Sequence, residues 1–115
     1  MFISPEQTLD VVEALENFLD RNRPPVEIRT KVDIEYEIEG QSVIIYEKRP
    51  RWNKQGEYLQ IPIAKGTYVI TRRLWKVYWQ RADLKWHPYT PAVTVKSIKE
   101  FIRLVEKDDN HCFWG

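Results

Sequence analysis

Apolar residues recur along the chain with two different periods, and the change between them lays out the elements. Thr8, Val11, Val12, Leu15, Phe18 and Leu19 fall three and four apart and share one helical face, while Asp10, Glu13, Glu16 and Asp20 lie mostly elsewhere. Ser4-Pro5-Glu6-Gln7 supplies the start: a serine oxygen for a free N–H, proline at the first helical position, and glutamine three residues after the cap. Arg23-Pro24-Pro25 ends it, because proline has no N–H to donate and disfavours helix in the residue before it. The spacing predicts a helix over residues 5–22. From Lys31 the period becomes two. Val32, Ile34, Tyr36 and Ile38 alternate with Asp33, Glu35, Glu37 and Glu39, which predicts a strand over 32–39 with one dry and one wet face. Glu39-Gly40-Gln41-Ser42 then predicts a two-residue type II′ hairpin with Gly40 at positive φ. That turn pairs 38 with 43, 36 with 45, 34 with 47 and 33 with 48.

The second strand is expected over 43–49, followed by a polar surface loop at Asn53 to Glu57. Residues 58–71 read as extended segments kinked near Pro62 and Gly66, and Trp75 to Gln80 as a strong strand. A four-residue loop, Arg81 to Leu84, leads to a return strand over 85–89. In that register Trp79 faces Trp86 and Tyr78 faces His87. Trp75, Val77, Trp79 and Trp86 then share the core face, and Lys76, Tyr78, Gln80, Lys85, His87 and Tyr89 share the other. Thr94 is expected to cap a second helix over 95–107, with Val95, Ile98, Phe101, Ile102 and Val105 in one stripe. An aromatic tail, 111–115, carries Phe113 and Trp114, whose docking on the core would gain about 2 kcal/mol per fully buried large side chain. The sum is an α+β fold: an N-terminal helix, a four- to five-stranded antiparallel meander sheet and a C-terminal helix, with the helices packed on one face.

With 115 residues, 43% hydrophobic and 13% aromatic, the chain suits one domain, 1–115, with a modest core. No apolar run approaches the ~18 to 20 residues of a membrane span, and the start has neither a basic nor an apolar leader segment, so a soluble, cytoplasmic protein is expected. The single cysteine, Cys112, cannot form an intrachain disulfide. A net charge of +1 conceals a polarity along the chain. Residues 1–47 hold 4 Lys/Arg against 11 Asp/Glu, residues 48–100 hold 12 against 3, and residues 101–115 hold 2 against 3. The two halves could neutralise each other within the fold or face different partners. The self-complementary arrangement is the expected one, because surface charges beyond ~8 Å are screened at physiological salt and packed neighbours are not.

The segment after residue 46 carries the densest candidate chemistry. Glu47 falls on the dry side opposite Ile34, and Arg49 and Arg51 follow at spacings of two, with Pro50 between them. A carboxylate there needs a partner, so a structural ion pair of Glu47 with Arg49 or Arg51 is expected, the alternative being a free Arg49/Arg51 anion clamp. On the wet side of the later strands, Lys76, Tyr78, Lys85, His87 and Tyr89, rimmed by Arg72 and Arg73, offer rings to stack on bases and cations to meet phosphates. No metal site or cofactor is expected: His111 and Cys112 are adjacent, His87 is the only other histidine, and no ligand spacing is present. Nothing brings His87 to Cys112 as a nucleophile and base. The row Glu35, Glu37 and Glu39 is what alternation leaves on any solvated strand.

Taken in order, Glu39-Gly40-Gln41-Ser42, Arg49-Pro50-Arg51-Trp52, Trp75 with Tyr78-Trp79, Trp86-His87 and Phe113-Trp114-Gly115 resemble a bacterial family of small proteins classed as a domain of unknown function. The likeness runs from about residue 33 to 115, and it implies a stand-alone soluble domain with no assigned activity. The chain departs from the family pattern just before the final Phe-Trp-Gly, where Asp109-Asn110-His111-Cys112 stands in place of proline and glycine. The expected role is a non-enzymatic protein-interaction module, its partner another protein or a second copy. The alternative is nucleic-acid or polyanion binding through the basic aromatic sheet face.

Overall fold

The computed structural model describes residues 4–114, so Gly115 of the aromatic tail lies outside the described residues. Helix α1 runs Pro5–Asn22, with the Ser4 hydroxyl accepting from the Gln7 N–H at 3.2 Å. Val11, Ala14, Leu15 and Phe18 form its buried face. Strands β1 (Asp33–Glu39) and β2 (Ser42–Pro50) pair as the alternation requires: Ile38 opposite Val43, Tyr36 opposite Ile45, Ile34 opposite Glu47 and Asp33 opposite Lys48. Gly40 turns the hairpin at φ +58°. The Gln41 side-chain amide donates to the Tyr68 carbonyl at 2.7 Å and the Gln41 backbone carbonyl accepts from the Tyr68 N–H at 2.8 Å, tying the turn to the next strand.

Strand β3 (Tyr58–Val69) is continuous, and Pro62 marks a bulge rather than a break. Ile45 pairs with Ala64 but Tyr46 pairs with Pro62, so Ile63 is the extra residue and both Ile63 and Ala64 are buried. Strand β4 (Leu74–Gln80) pairs with β3, and its far side is shared by β5 (Trp86–Pro88) and β6 (Thr94–Val95) in a six-stranded antiparallel sheet. Helix α2 therefore begins later than the stripe alone suggests, spanning Ile98–Lys107. Thr94 is spent in the sheet opposite Lys76, and Ser97 is the cap, its hydroxyl accepting from the Glu100 N–H at 3.2 Å. The sheet backbone competes successfully for Val95, which keeps it out of the helix.

Both helices lie on one side of the sheet. The ring of Phe101 from α2 sits over Gly66, where an added Cβ would come within 3.2 Å of it, so glycine permits this close packing. The core gathers Val43, Ile45, Ala64, Tyr68, Trp75 and Val77 from the sheet against Val11, Leu15 and Phe18 and against Ile98, Phe101, Ile102 and Val105. Beyond α2 the chain turns at Asp108, a buried residue in left-handed conformation (φ 43°). Its carboxylate accepts from the backbone N–H groups of Phe113 at 3.0 Å and Trp114 at 2.9 Å. The Trp114 indole N–H donates to the Val105 carbonyl at 2.8 Å, and the Phe113 ring packs 4.8 Å from that of Tyr89. The tail is docked without a proline or glycine before it.

The β4–β5 hairpin corrects the expected register. Its loop holds five residues, 81–85, not four: Leu84 adopts φ +62°, its N–H donates to the Arg81 carbonyl at 2.9 Å, and the Asp83 carboxylate accepts from the Lys85 N–H at 2.9 Å. Trp79 therefore pairs with His87, Gln80 with Trp86 and Tyr78 with Pro88. A slip of one residue turns every side chain of the return strand over. Trp86 leaves the core face, His87 joins it, and Tyr89, 2% exposed, is a core residue whose hydroxyl accepts from Asn110 at 3.0 Å.

Candidate functional site

The face of the sheet away from the helices presents the even-numbered residues of β2 and β4, Trp86 and Pro88 of β5, and Lys65 and Thr67 of β3. Register sets a row across the sheet: Glu37, Ile44, Lys65, Tyr78 and Pro88. Lys65 is its hub, with its ammonium 5.9 Å from the ring centre of Tyr78 and 5.9 Å from that of Trp86. Lys76 stands exposed one pair further along, between Thr67 and Thr94. At the opposite edge Glu35, Glu37 and Glu39 line β1. Burial, and then the charges of Glu37 and Glu39, push the Tyr46 hydroxyl above its ordinary pKa, so it stays neutral as it donates to Glu37 at 3.4 Å.

The β2–β3 hairpin projects beyond this face as a two-stranded arm. Pairing with β1 stops at Lys48 and pairing with β4 stops at Ala64, whereas β2 and β3 continue together to Pro50 and Tyr58. Residues 49–61 are exposed throughout, and Trp52 at the tip is 95% exposed. The loop is braced at its base: Arg51 N–H donates to the Glu57 carbonyl at 2.8 Å, the Arg51 and Glu57 side chains pair at 3.3 Å, and Gly56 turns at φ +84°. On the outward face of the arm Lys48 lies 4.8 Å over the ring of Tyr58.

These positions separate the expected site residues into distinct groups. Arg49 donates to Glu47 at 2.6 Å, while Arg51 serves the arm loop through Glu57, so each guanidinium has an internal carboxylate partner. Lys76 and Tyr78 do share the open face. Lys85 and Arg72 are exposed in the turns at either end of β4, whereas Arg73 opens on the helical side and lines a cleft of about 320 Å³ with Asp10, Tyr68, Trp75 and Lys96. His87 faces inward from β5 and bonds the Asp83 carboxylate at 2.8 Å; Tyr89 is in the core. The residues that complete the face, Lys65 and Trp86, lie outside the expected set. Lys65 was available from alternation in Ala64-Lys65-Gly66-Thr67, but Trp86 depends on the loop length.

Other chemistry finds little geometry. Among the described residues no group of three or more His, Cys, Asp or Glu side chains is placed to hold a metal ion. Burial, aided by Asp108, raises the Cys112 thiol above its ordinary pKa, which works against a thiolate nucleophile. No described helix is long and apolar enough to cross a membrane.

The family model for the domain of unknown function DUF3024 matches residues 3–115, and the chain belongs to that family. No curated protein and no solved structure matches it.

Proposed function

We propose that the open sheet face binds single-stranded nucleic acid, and that the domain acts by binding alone, without catalysis. The observation that carries this reading is the position of Lys65 between the rings of Tyr78 and Trp86 on a sheet face that the helices leave free. A base stacked on an aromatic side chain gains roughly 1–3 kcal/mol whatever its identity, and an interleaved ammonium meets the phosphate that follows. The acidic row of β1 bounds the track on one side, because Glu35, Glu37 and Glu39 repel phosphates and favour β3, β4, β5 and the arm.

Three outward lysines, Lys48, Lys65 and Lys76, neutralise phosphates here, so log K should fall against log salt with a slope of about −2. Fluorescence anisotropy with a labelled oligothymidylate over a salt series measures it. Lys65→Ala should weaken binding and make the slope shallower by about 0.7, and Lys65→Arg should restore it. Absence of binding at low salt, or binding by Lys65→Ala and Trp86→Ala as tight as that of wild type, refutes the reading.

A second reading, a protein strand or a second copy added along β3, is supported by a different observation. Among the described residues, the edge of β3 towards β4 has no paired strand from Tyr58 to Ile63, and Leu59 and Ile61 are exposed beside it. Sedimentation velocity of the protein and of Ile61→Lys tests it. A dimer that the substitution dissolves supports this reading, and a monomer at all concentrations removes self-pairing.

A further inference from the structure

The arm carries an indole that the fold itself does not use. Trp52 is 95% exposed, beyond the last strand pair at Pro50 and Tyr58, on a loop closed by Arg51 and Glu57. An exposed tryptophan held on a braced loop is preorganised for contact, since little of the ordering cost remains to be met on binding. Trp52 follows Tyr46, which shares the outward face, by six residues, so the tip lies at most ~20 Å from that point of the sheet. Between them Lys48 over Tyr58 repeats, on the same outward face, the pairing of a cation with a ring that Lys65 makes with Tyr78 and Trp86. Residues 47–59 hold four Lys/Arg against two Asp/Glu, so the arm is cationic as well as aromatic.

We propose that the arm continues the sheet face as one stacking track, with Trp52 as its far station, so that a single strand long enough to reach the tip is held at both ends. The inference rests on the nucleic-acid reading of the face, and it adds a length requirement and a second contact region. A strand short enough to lie on Tyr78 and Trp86 gains nothing from the arm, whereas a longer one acquires the Trp52 stack without a second association step.

Oligothymidylates of about 4 and about 16 nucleotides, the span of site sizes known for single-strand platforms, separate the cases. Wild type should bind the longer one more tightly, and Trp52→Ala should weaken that binding on the order of tenfold while leaving the short one unchanged. Trp52→Phe should retain most of the gain. Circular dichroism and thermal melting of Trp52→Ala should match wild type, so a loss of affinity reports contact and not unfolding. Equal affinity of wild type and Trp52→Ala for the long strand overturns the track, and so does an equal loss at both lengths. A self-association that Trp52→Ala abolishes would assign the tip to a second copy and overturn it as well. If wild type binds neither length, the face itself fails, an outcome distinct from failure of the arm alone.

Discussion

Replacing Asp108 tests how the aromatic tail is held. The side chain is buried, and its carboxylate accepts from the N–H groups of both Phe113 and Trp114, at 3.0 and 2.9 Å. Asp108→Ala strands both donors, each costing about 1–3 kcal/mol if it stays buried. Alanine also sits less easily than aspartate at φ 43°, a penalty of roughly 1 kcal/mol. The sum has a ceiling, because the tail can undock and let water satisfy the donors. The loss is then Phe113 burial, about 2 kcal/mol, together with the Trp114 indole bond to Val105, about 1 kcal/mol. The expected destabilisation is therefore about 3 kcal/mol, a large share of a domain stability of roughly 5–15 kcal/mol. An asparagine at this position would keep one acceptor oxygen and tolerate the left-handed backbone, so Asp108→Asn should cost about 1 kcal/mol. Urea unfolding followed by tryptophan fluorescence reads both. With a slope of about 1.5 kcal/mol/M, Asp108→Ala should lower the midpoint by about 2 M and Asp108→Asn by under about 1 M. Equal shifts for the two variants, or an alanine cost under about 0.5 kcal/mol, would refute the assignment of the carboxylate as the clasp.

Leu84 is 77% exposed at φ +62°, so Leu84→Gly should relieve backbone strain at little cost in burial. A gain of about 0.5 kcal/mol, net of the extra freedom glycine gives the unfolded chain, should raise the melting temperature by about 2 °C in calorimetry. On the acid side, the side-chain hydrogen bond from Arg23 holds the Asp33 carboxyl below its ordinary pKa, and the one from Arg21, with help from Asn22, does the same for Glu106. Each folded pKa lies below the unfolded one, so the unfolded chain binds more protons in that interval and stability rises with pH. The contribution is complete above about pH 4.5 and is lost as pH falls through the folded values. Denaturation measured from pH 6 down to pH 2 should show that loss, and Arg23→Gln with Arg21→Gln should flatten it.

The first hairpin was legible because three signals agreed: strict alternation from Val32 to Glu39, a glycine where positive φ is needed, and a two-residue loop that leaves no freedom of register. Helix α1 was legible for the same reason, with cap, period and proline stop concurring. The β4–β5 hairpin lacked such agreement. Arg81-Ala82-Asp83-Leu84-Lys85 contains no glycine or asparagine to announce the left-handed position, and leucine takes it instead. The choice between a four- and a five-residue loop decided whether Trp86 or His87 faced the core. Trp75, Val77 and Trp79 stayed together because their spacing within one strand is independent of any loop. Asp108 was hidden differently, because a charged residue in an acidic stretch looks solvated until its carboxylate is found aimed at the backbone of the tail.

The charge division along the chain settles into space in a way that bears on the proposed ligand. If the acidic and basic halves were neutralising each other, ion pairs would join residues 1–47 to residues 48–100. Among the described residues, the Arg/Lys pair that does so is Arg49 with Glu47, two positions apart on one strand. Arg23 pairs with Asp33, Arg51 with Glu57 and Arg21 with Glu106, each outside that combination. The sheet order β1-β2-β3-β4 then converts sequence polarity into a gradient, from the glutamates on β1 to Lys65 on β3 and Lys76 on β4. A gradient of this kind is steep over ~15 Å, about three strand spacings, which is beyond one Debye length at physiological salt, so each edge acts on its own neighbours. The two halves do meet on the helical side, where Asp10 shares a cleft with Arg73 and Lys96, but on the open face they stay apart, so a polyanion approaching that face meets attraction on the aromatic side and repulsion at β1. Reversing the gradient with Glu35→Lys and Glu37→Lys should therefore extend the bound strand across β1 and lengthen the minimum oligonucleotide, an outcome that simple addition of positive charge at a remote surface would not produce.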